Sequence, residues 1–180
     1  MAESLGVSVV ILQGESVLLI LREDFRVWGL PGGQVEAGES VAEAAIREAR
    51  EETGLEVGLD RIVGIYYNPL GHQVLFLAHV CSGEARPDGC ETLNAKWFAV
   101  NDLPGQLIGW HRLYIQDALD HSPSVVRRIE ISSMPQLTRL SQLTRQELYD
   151  LKNQGKLNLK AFLAELCAPV EEKDTRNLVG

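Results

Sequence analysis

LPGGQVEAGESVAEAAIREAREETGL, running from Leu30 to Leu55, is the stretch whose reading decides the fold. Its first four residues break regular structure through their Pro and Gly content. Ser40 followed by Glu43 forms a capping box, which predicts a helix from about Val41. Ala42, Ala45, Ile46 and Ala49 recur at helical spacing and make a narrow face of mostly small residues, and Gly54 is a good C-terminal stop. Glu48, Glu51 and Glu52 stand at i, i+3 and i+4, so they share one face of that helix. Like charges at this spacing destabilise a helix modestly, so a positive partner is expected there. Three carboxylates on one face make a hard-oxygen site of the kind Mg²⁺ or Mn²⁺ prefers. Arg47 precedes Glu51 by four residues and can hold that carboxylate in place. The turn Gly32-Gly33 brings backbone close to the same helix with no side chain in the way.

Outward from this helix the pattern is mixed. VSVVIL and SVLLILR are β-branched, apolar runs separated by Gln-Gly-Glu, which reads as strand, tight turn, strand. DRIVGIYYN and QVLFLAHVC are two further strands, SGEARPDGCET a polar loop, AKWFAV another strand and WHRLYIQDALD a helix. Strands interleaved with two helices point to an α/β sandwich rather than an all-α or all-β domain. His121-Ser-Pro-Ser marks a boundary, so the domain is expected to occupy 1–122, followed by a short helical extension at 123–168 with helices on either side of Gln154-Gly155, and a polar, flexible tail at 169–180.

The charge balance constrains partners. The chain has a net charge of −8, with −10 concentrated in residues 1–122 and +4 in residues 123–160. An acidic main domain argues against bulk nucleic-acid binding, which neutralises phosphates with Lys and Arg. An acidic site that handles phosphates needs metal ions in between. No apolar run reaches the roughly 18–20 residues of a membrane span, and the N-terminus does not read as a signal peptide. Cys81, Cys90 and Cys167 are far apart and fit neither a zinc spacing nor a disulfide framework. A cytoplasmic location is the resulting expectation.

Glu48-Ala49-Arg50-Glu51-Glu52 alone is what an ordinary solvated helix face looks like. The longer pattern is different: Gly33, five residues, Glu39, seven residues, Arg47-Glu48-Ala49, one residue, Glu51-Glu52, one residue, Gly54-Leu55. Seven fixed positions at average residue frequencies match by chance with a probability of about 10⁻⁹ per window. The stretch resembles the Nudix box, G-x5-E-x7-R-E-U-x-E-E-x-G-U with U a bulky aliphatic, and departs only in Ala49 at the first U. WGLPGG before it and AKWFAVNDLP after it resemble family members too, so the likeness covers roughly residues 5–120.

The resemblance implies a Nudix-type α/β/α sandwich with a mixed β-sheet. It also implies a metal-dependent pyrophosphohydrolase acting on a nucleoside diphosphate linked to another moiety. Carried over by position, Glu48, Glu51 and Glu52 would be metal ligands and Arg47 an orienter. Glu39 would support the loop–helix junction, and Gly33 or its neighbour Gly32 would offer a backbone carbonyl. The general base is not fixed by the box: Glu52 is one candidate, and Glu91, in the loop before AKWF, is another. A cleaner of damaged (d)NTPs would use the same chemistry.

Substrate-binding residues are not assigned at this level. Pro69 reads as a turn proline, Tyr66 and Tyr67 as strand core, and Phe25 and Trp28 as packing residues that could also wall a base pocket; His72, His79, His111 and His121 carry no pattern. The cationic segment with Arg127, Arg128, Arg139, Arg145, Lys152, Lys156 and Lys160 raises a second class, a nucleotide-sensing transcriptional regulator. A pure sensor has no need of three spaced carboxylates, so the enzyme reading ranks first. The extension would then pack on the core or mediate a homodimer.

Overall fold

The structure is a computed structural model, and it describes residues 4–68, 71–120, 124–130, 139–140, 143–170 and 175–177. Strand β1 (Ser4–Gln13) sets the layering through its period of two. Val7, Val9 and Ile11 face one core, where Ala44, Ala45 and Ala49 of helix α1 (Val41–Thr53) are buried. Val10 faces the opposite core, with Tyr114, Ile115 and Ala118 of helix α2 (Gly109–Leu119). The sheet is therefore the middle of three layers, as an α/β/α sandwich requires.

The other strands are β2 (Ser16–Arg22), β3 (Trp28–Gly29), β4 (Glu56–Asn68), β5 (Gly71–Ser82), β6 (Thr92–Ala99), β7 (Val125–Ile129) and β8 (Thr175–Asn177). They run in the order β3-β2-β1-β5-β4-β7-β8, with β6 also on β2. The β1–β5 and β4–β7 pairs are parallel and the remaining pairs antiparallel, so the sheet is mixed. Helix α1 starts where the capping box places it: the Glu43 N–H donates to Ser40 Oγ at 3.2 Å and the Ser40 N–H to Glu43 Oε2 at 2.8 Å. It stops at Gly54, whose φ of 71° is left-handed.

The extension does not begin as a helix, which corrects that part of the sequence reading. Val-Val-Arg-Arg-Ile continues the open edge of β4, in register from Gly64 opposite Val125 to Tyr67 opposite Arg128. A five-residue β-branched strand that borrows a distant edge has no local periodicity to announce it. Both of its arginines have partners within the chain, although Arg128 is exposed. Arg127 makes a bidentate pair with Asp117 at 3.0 and 2.9 Å, and Arg128 lies 4.6 Å over the Tyr67 ring. Thr175–Asn177, within the expected tail, pair with β7. Pro69 and His121 lie outside the described residues.

Helices α3 (Arg145–Asn153) and α4 (Leu159–Leu166) flank Gln154-Gly155 as expected. Leu140, Leu157, Phe162 and Leu166 form a third core with Val27 and Ile108 of the main domain. The seam is tight: a Cβ on Gly109 would stand 1.7 Å from the Ala168 carbonyl oxygen. Among the described residues no helix is long and apolar enough to cross a membrane.

Candidate active site

The alanine face of α1 seats the helix directly on the sheet and brings its carboxylates under the glycine turn. Glu52 is 8% exposed and its Oε2 accepts the Gly32 N–H at 2.8 Å. Glu48 occupies the space a side chain at residue 33 would need, since a Cβ on Gly33 would stand 2.3 Å from Glu48 Oε1. Gly32 has φ 152°, and a Cβ there would meet the Val7 carbonyl oxygen at 2.1 Å. The Gly33 carbonyl accepts from the Val7 N–H and the Pro31 carbonyl from the Val9 N–H, both at 2.9 Å. The Gly33 carbonyl is thus engaged by β1, which weighs against the ligand role that the resemblance implies for it. The Gly32 N–H is used by Glu52 rather than by β1.

Arg47 ties the box together with one guanidinium. Nε and Nη2 donate to the two Glu39 oxygens at 2.8 and 3.0 Å, and Nη2 also reaches the Gln34 carbonyl at 3.0 Å. Nη1 donates to Glu48 Oε1 at 2.9 Å and to Glu51 Oε2 at 3.2 Å. The Arg47 hydrogen bonds hold the Glu39 carboxyl below the usual carboxylate range. The three glutamates of the shared face thus differ. Glu51 is solvated and Glu48 half-buried, while buried Glu52 has Arg22 within electrostatic reach. Burial raises the Glu48 carboxyl, and burial pushes Glu52 up to about 8 against the opposing pull of the Gly32 N–H and Arg22. Among the described residues no three His, Cys, Asp or Glu side chains already converge at coordinating distance, and Arg47 sits on the Glu48 and Glu51 oxygens. Glu48 and Glu52, two carboxylates beside a glycine turn, are nevertheless a donor set that fits a hard divalent cation.

Glu91 is exposed at the end of the loop before β6. Asp88 Oδ1 organises that loop by accepting the N–H groups of Cys90, Glu91 and Thr92 at 2.8, 3.1 and 2.9 Å. The Glu91 carbonyl accepts the Glu23 N–H at 2.9 Å, which fastens the loop to the end of β2. Arg22, the last residue of β2, is within electrostatic reach of both Glu52 and Glu91.

A cavity of about 400 Å³ adjoins the glycine turn, with Gly32, Gly33 and Arg22 in its lining. Leu140, Leu143, Leu148 and Leu166 of the extension roof it. His111 and Tyr114 of α2 line its inner end. The Leu30 N–H donates to His111 Nδ1 at 2.9 Å, and burial lowers the ring to about 3, so the neutral imidazole carries its proton on Nε2. The Tyr114 hydroxyl is buried with no hydrogen-bond partner among the described residues. Neither residue carries a sequence signal: both sit on the buried side of a helix and look like core. Phe25 also lines the cavity, whereas Trp28 packs edge-on against Phe98 and buried Tyr66 donates its hydroxyl to Asp117.

A family model described as the NUDIX domain matches residues 3–118. The chain belongs to the Nudix family. It is a hydrolase of pyrophosphate bonds, and residues 33–55 are its Nudix box. A protein of Bacillus subtilis (strain 168) with the provisional name 8-oxo-dGTP diphosphatase is 38% identical over 115 residues, covering 62% of this chain and 77% of that one. An ADP-ribose pyrophosphatase of Methanocaldococcus jannaschii is 36% identical over 123 residues, covering 63% and 72%. The crystal structure of an ADP-ribose pyrophosphatase from Streptococcus suis 89-1591 superposes with a TM-score of 0.59 at 28% identity, covering 71% of this chain and 98% of that one.

Proposed function

We propose that this Nudix hydrolase cleaves the pyrophosphate linkage of a nucleoside diphosphate joined to another moiety, such as ADP-ribose or a nucleotide sugar, with Mg²⁺ or Mn²⁺ as cofactor. The carrying observation is the pair of box carboxylates against the glycine turn, Glu52 on the Gly32 N–H and Glu48 on Gly33. Glu48, Glu51 and Glu52, with the Gly32 carbonyl, would hold the cation. When bound, such an ion lowers the pKa of a coordinated water and withdraws charge from phosphoryl oxygens.

The chain's own residues supply the rest. Arg47 fixes Glu48 and Glu51 relative to Glu39, which keeps the loop and the helix in one geometry. Arg22, in the cavity lining, faces the pyrophosphate. Glu91, across Arg22 from Glu52, takes the proton of the attacking water, and Glu52 is the second carboxylate within reach of that task. The cavity takes the nucleobase: leucines cover its faces, and the His111 Nε2–H and the Tyr114 hydroxyl meet its polar edge. A phosphate or a free sugar would leave that apolar roof without a partner.

The names of the Methanocaldococcus and Streptococcus proteins support the linked diphosphate as substrate. The Bacillus relative supports a second reading with the same chemistry, hydrolysis of (d)NTPs to monophosphate and pyrophosphate. The pairing of Arg127 with Asp117 weighs against a DNA-binding sensor. A substrate panel tests the proposal: ADP-ribose, nucleotide sugars, dinucleoside polyphosphates and (d)NTPs, each with Mg²⁺ and with Mn²⁺. Turnover of at least one is expected, and inertness toward all of them with both metals would sink it.

A further inference from the structure

A second cluster of reactive side chains lies where β4 and β5 run past the end of the α2 layer. His79 Nδ1 stands 2.6 Å from Asp60 Oδ1, and His79 Nε2 stands 3.7 Å from Cys81 Sγ. His79 and Cys81 are two apart on β5, so they project from the same face of the sheet. All three residues are solvent-exposed. With its proton on Nδ1, facing the carboxylate, the ring would present the Nε2 lone pair to the thiol, the arrangement by which a thiol is made nucleophilic. Gly58 on β4 makes the approach possible. A Cβ there would stand 2.7 Å from His79 Cε1, 2.8 Å from Nε2 and 3.2 Å from Cys81 Sγ, so any side chain at residue 58 would wedge against both partners.

We infer that Asp60, His79 and Cys81 form a thiol–disulfide exchange site, separate from the hydrolytic centre, whose reaction partner is the disulfide of a small thiol. The Cys81 S–H proton passes to His79 Nε2 while the sulfur attacks one sulfur of the incoming disulfide. A new S–S bond joins Cys81 to that half, the original S–S bond breaks, and the departing thiolate takes the proton from the imidazolium. The products are a mixed disulfide on Cys81 and one free thiol, so atoms and electrons balance without a further oxidant. An open position on the sheet surface suits a small disulfide, which reaches an exposed sulfur without needing a pocket.

The protein carries its own control, because Cys90 is exposed and makes no such histidine contact among the described residues, and Cys167 is half-buried. The full chain is mixed with an aromatic disulfide that releases a coloured thiolate, and separately with oxidised glutathione. The modified cysteine is identified by peptide mass. Cys81 is expected to react about tenfold faster than Cys90. His79→Asn and Asp60→Asn are each expected to slow Cys81 by about that factor while leaving the Cys90 rate and the melting temperature unchanged. The inference is overturned if Cys81 reacts no faster than Cys90, or if both substitutions leave its rate where it was.

Discussion

The two sides of the Gly32–Gly33 turn are built by opposite rules. On the helix side stand Glu48 and Glu52, charged, close in sequence and positioned by one helix. On the cavity side stand leucines and aromatic groups from α2 and the extension together with polar groups such as Arg22, Asn68 and Gln73, more than a hundred residues of chain brought to one place. The helix side carries the chemistry common to the family. The cavity side carries what this chain adds, since its roof comes from residues beyond the 3–118 that the family model covers. If the proposed roles hold, reaction and selectivity are separable in this molecule, and substitutions on each side should leave different kinetic signatures.

The largest effect is expected on the helix side. Glu52→Gln should lower kcat by roughly 10³–10⁴-fold while the protein stays folded, because the amide keeps the shape and loses the charge. Steady-state rates at saturating Mg²⁺ with a circular dichroism melt check this, and a wild-type rate would remove Glu52 from the site. Glu91→Gln should cost about 10²-fold in kcat with little change in the Mg²⁺ needed for half-maximal rate, and should flatten the acidic limb of the pH–rate profile. A demand for more metal would make Glu91 a ligand instead; no change beyond about twofold would leave the proton to Glu52. Arg47→Lys keeps the charge but loses the fork that spans Glu39, Glu48 and Glu51, and a loss of about 10–100-fold is expected, as for other groups that orient ligands.

On the cavity side, Tyr114→Phe should act through KM. Removing one hydrogen bond to the base should raise KM by up to about tenfold with kcat nearly unchanged. The ligand-free protein should melt no lower, since the lost hydroxyl has no partner there. A fall in kcat with unchanged KM would erase the contrast between the two sides.

The smallest expected effect is in stability against pH without metal. Glu52 has a folded value of about 8 against 4.5 as its reference. Its folded form holds a proton that the unfolded chain has released, so its contribution is complete below the reference value and is lost as pH rises through about 8. The melting temperature should fall from about pH 5 to about pH 8, by ~2–4 °C for each kcal/mol in a chain of this size, and Glu52→Gln should flatten that slope. Mg²⁺ added at the upper pH should restore the melting temperature, because it binds the folded form.

The contrast also explains what the sequence made legible. The capping box, the Gly54 stop and the spacing of Glu48, Glu51 and Glu52 are local features, and a helix repeats them faithfully. Which glutamate is buried is not local: Glu51 and Glu52 are neighbours in the chain, and only the approach of the Gly32 backbone distinguishes them. The engagement of the Gly33 carbonyl is likewise not local, since its partner is Val7 of β1. His111 and Tyr114 carry no pattern at all. Strand β7 was read as part of a helical extension because its pairing edge lies sixty residues upstream, at Gly64–Tyr67.

Gly109 gives the extension an evolutionary address. With the Ala168 carbonyl where the first carbon of any side chain would go, residue 109 must stay glycine for the roof to sit as it does. A relative with a larger residue there could not acquire this roof by gene fusion alone; it would need the glycine first or together with it. An engineer who wished to move this roof to another Nudix scaffold would have to begin with a single codon in α2.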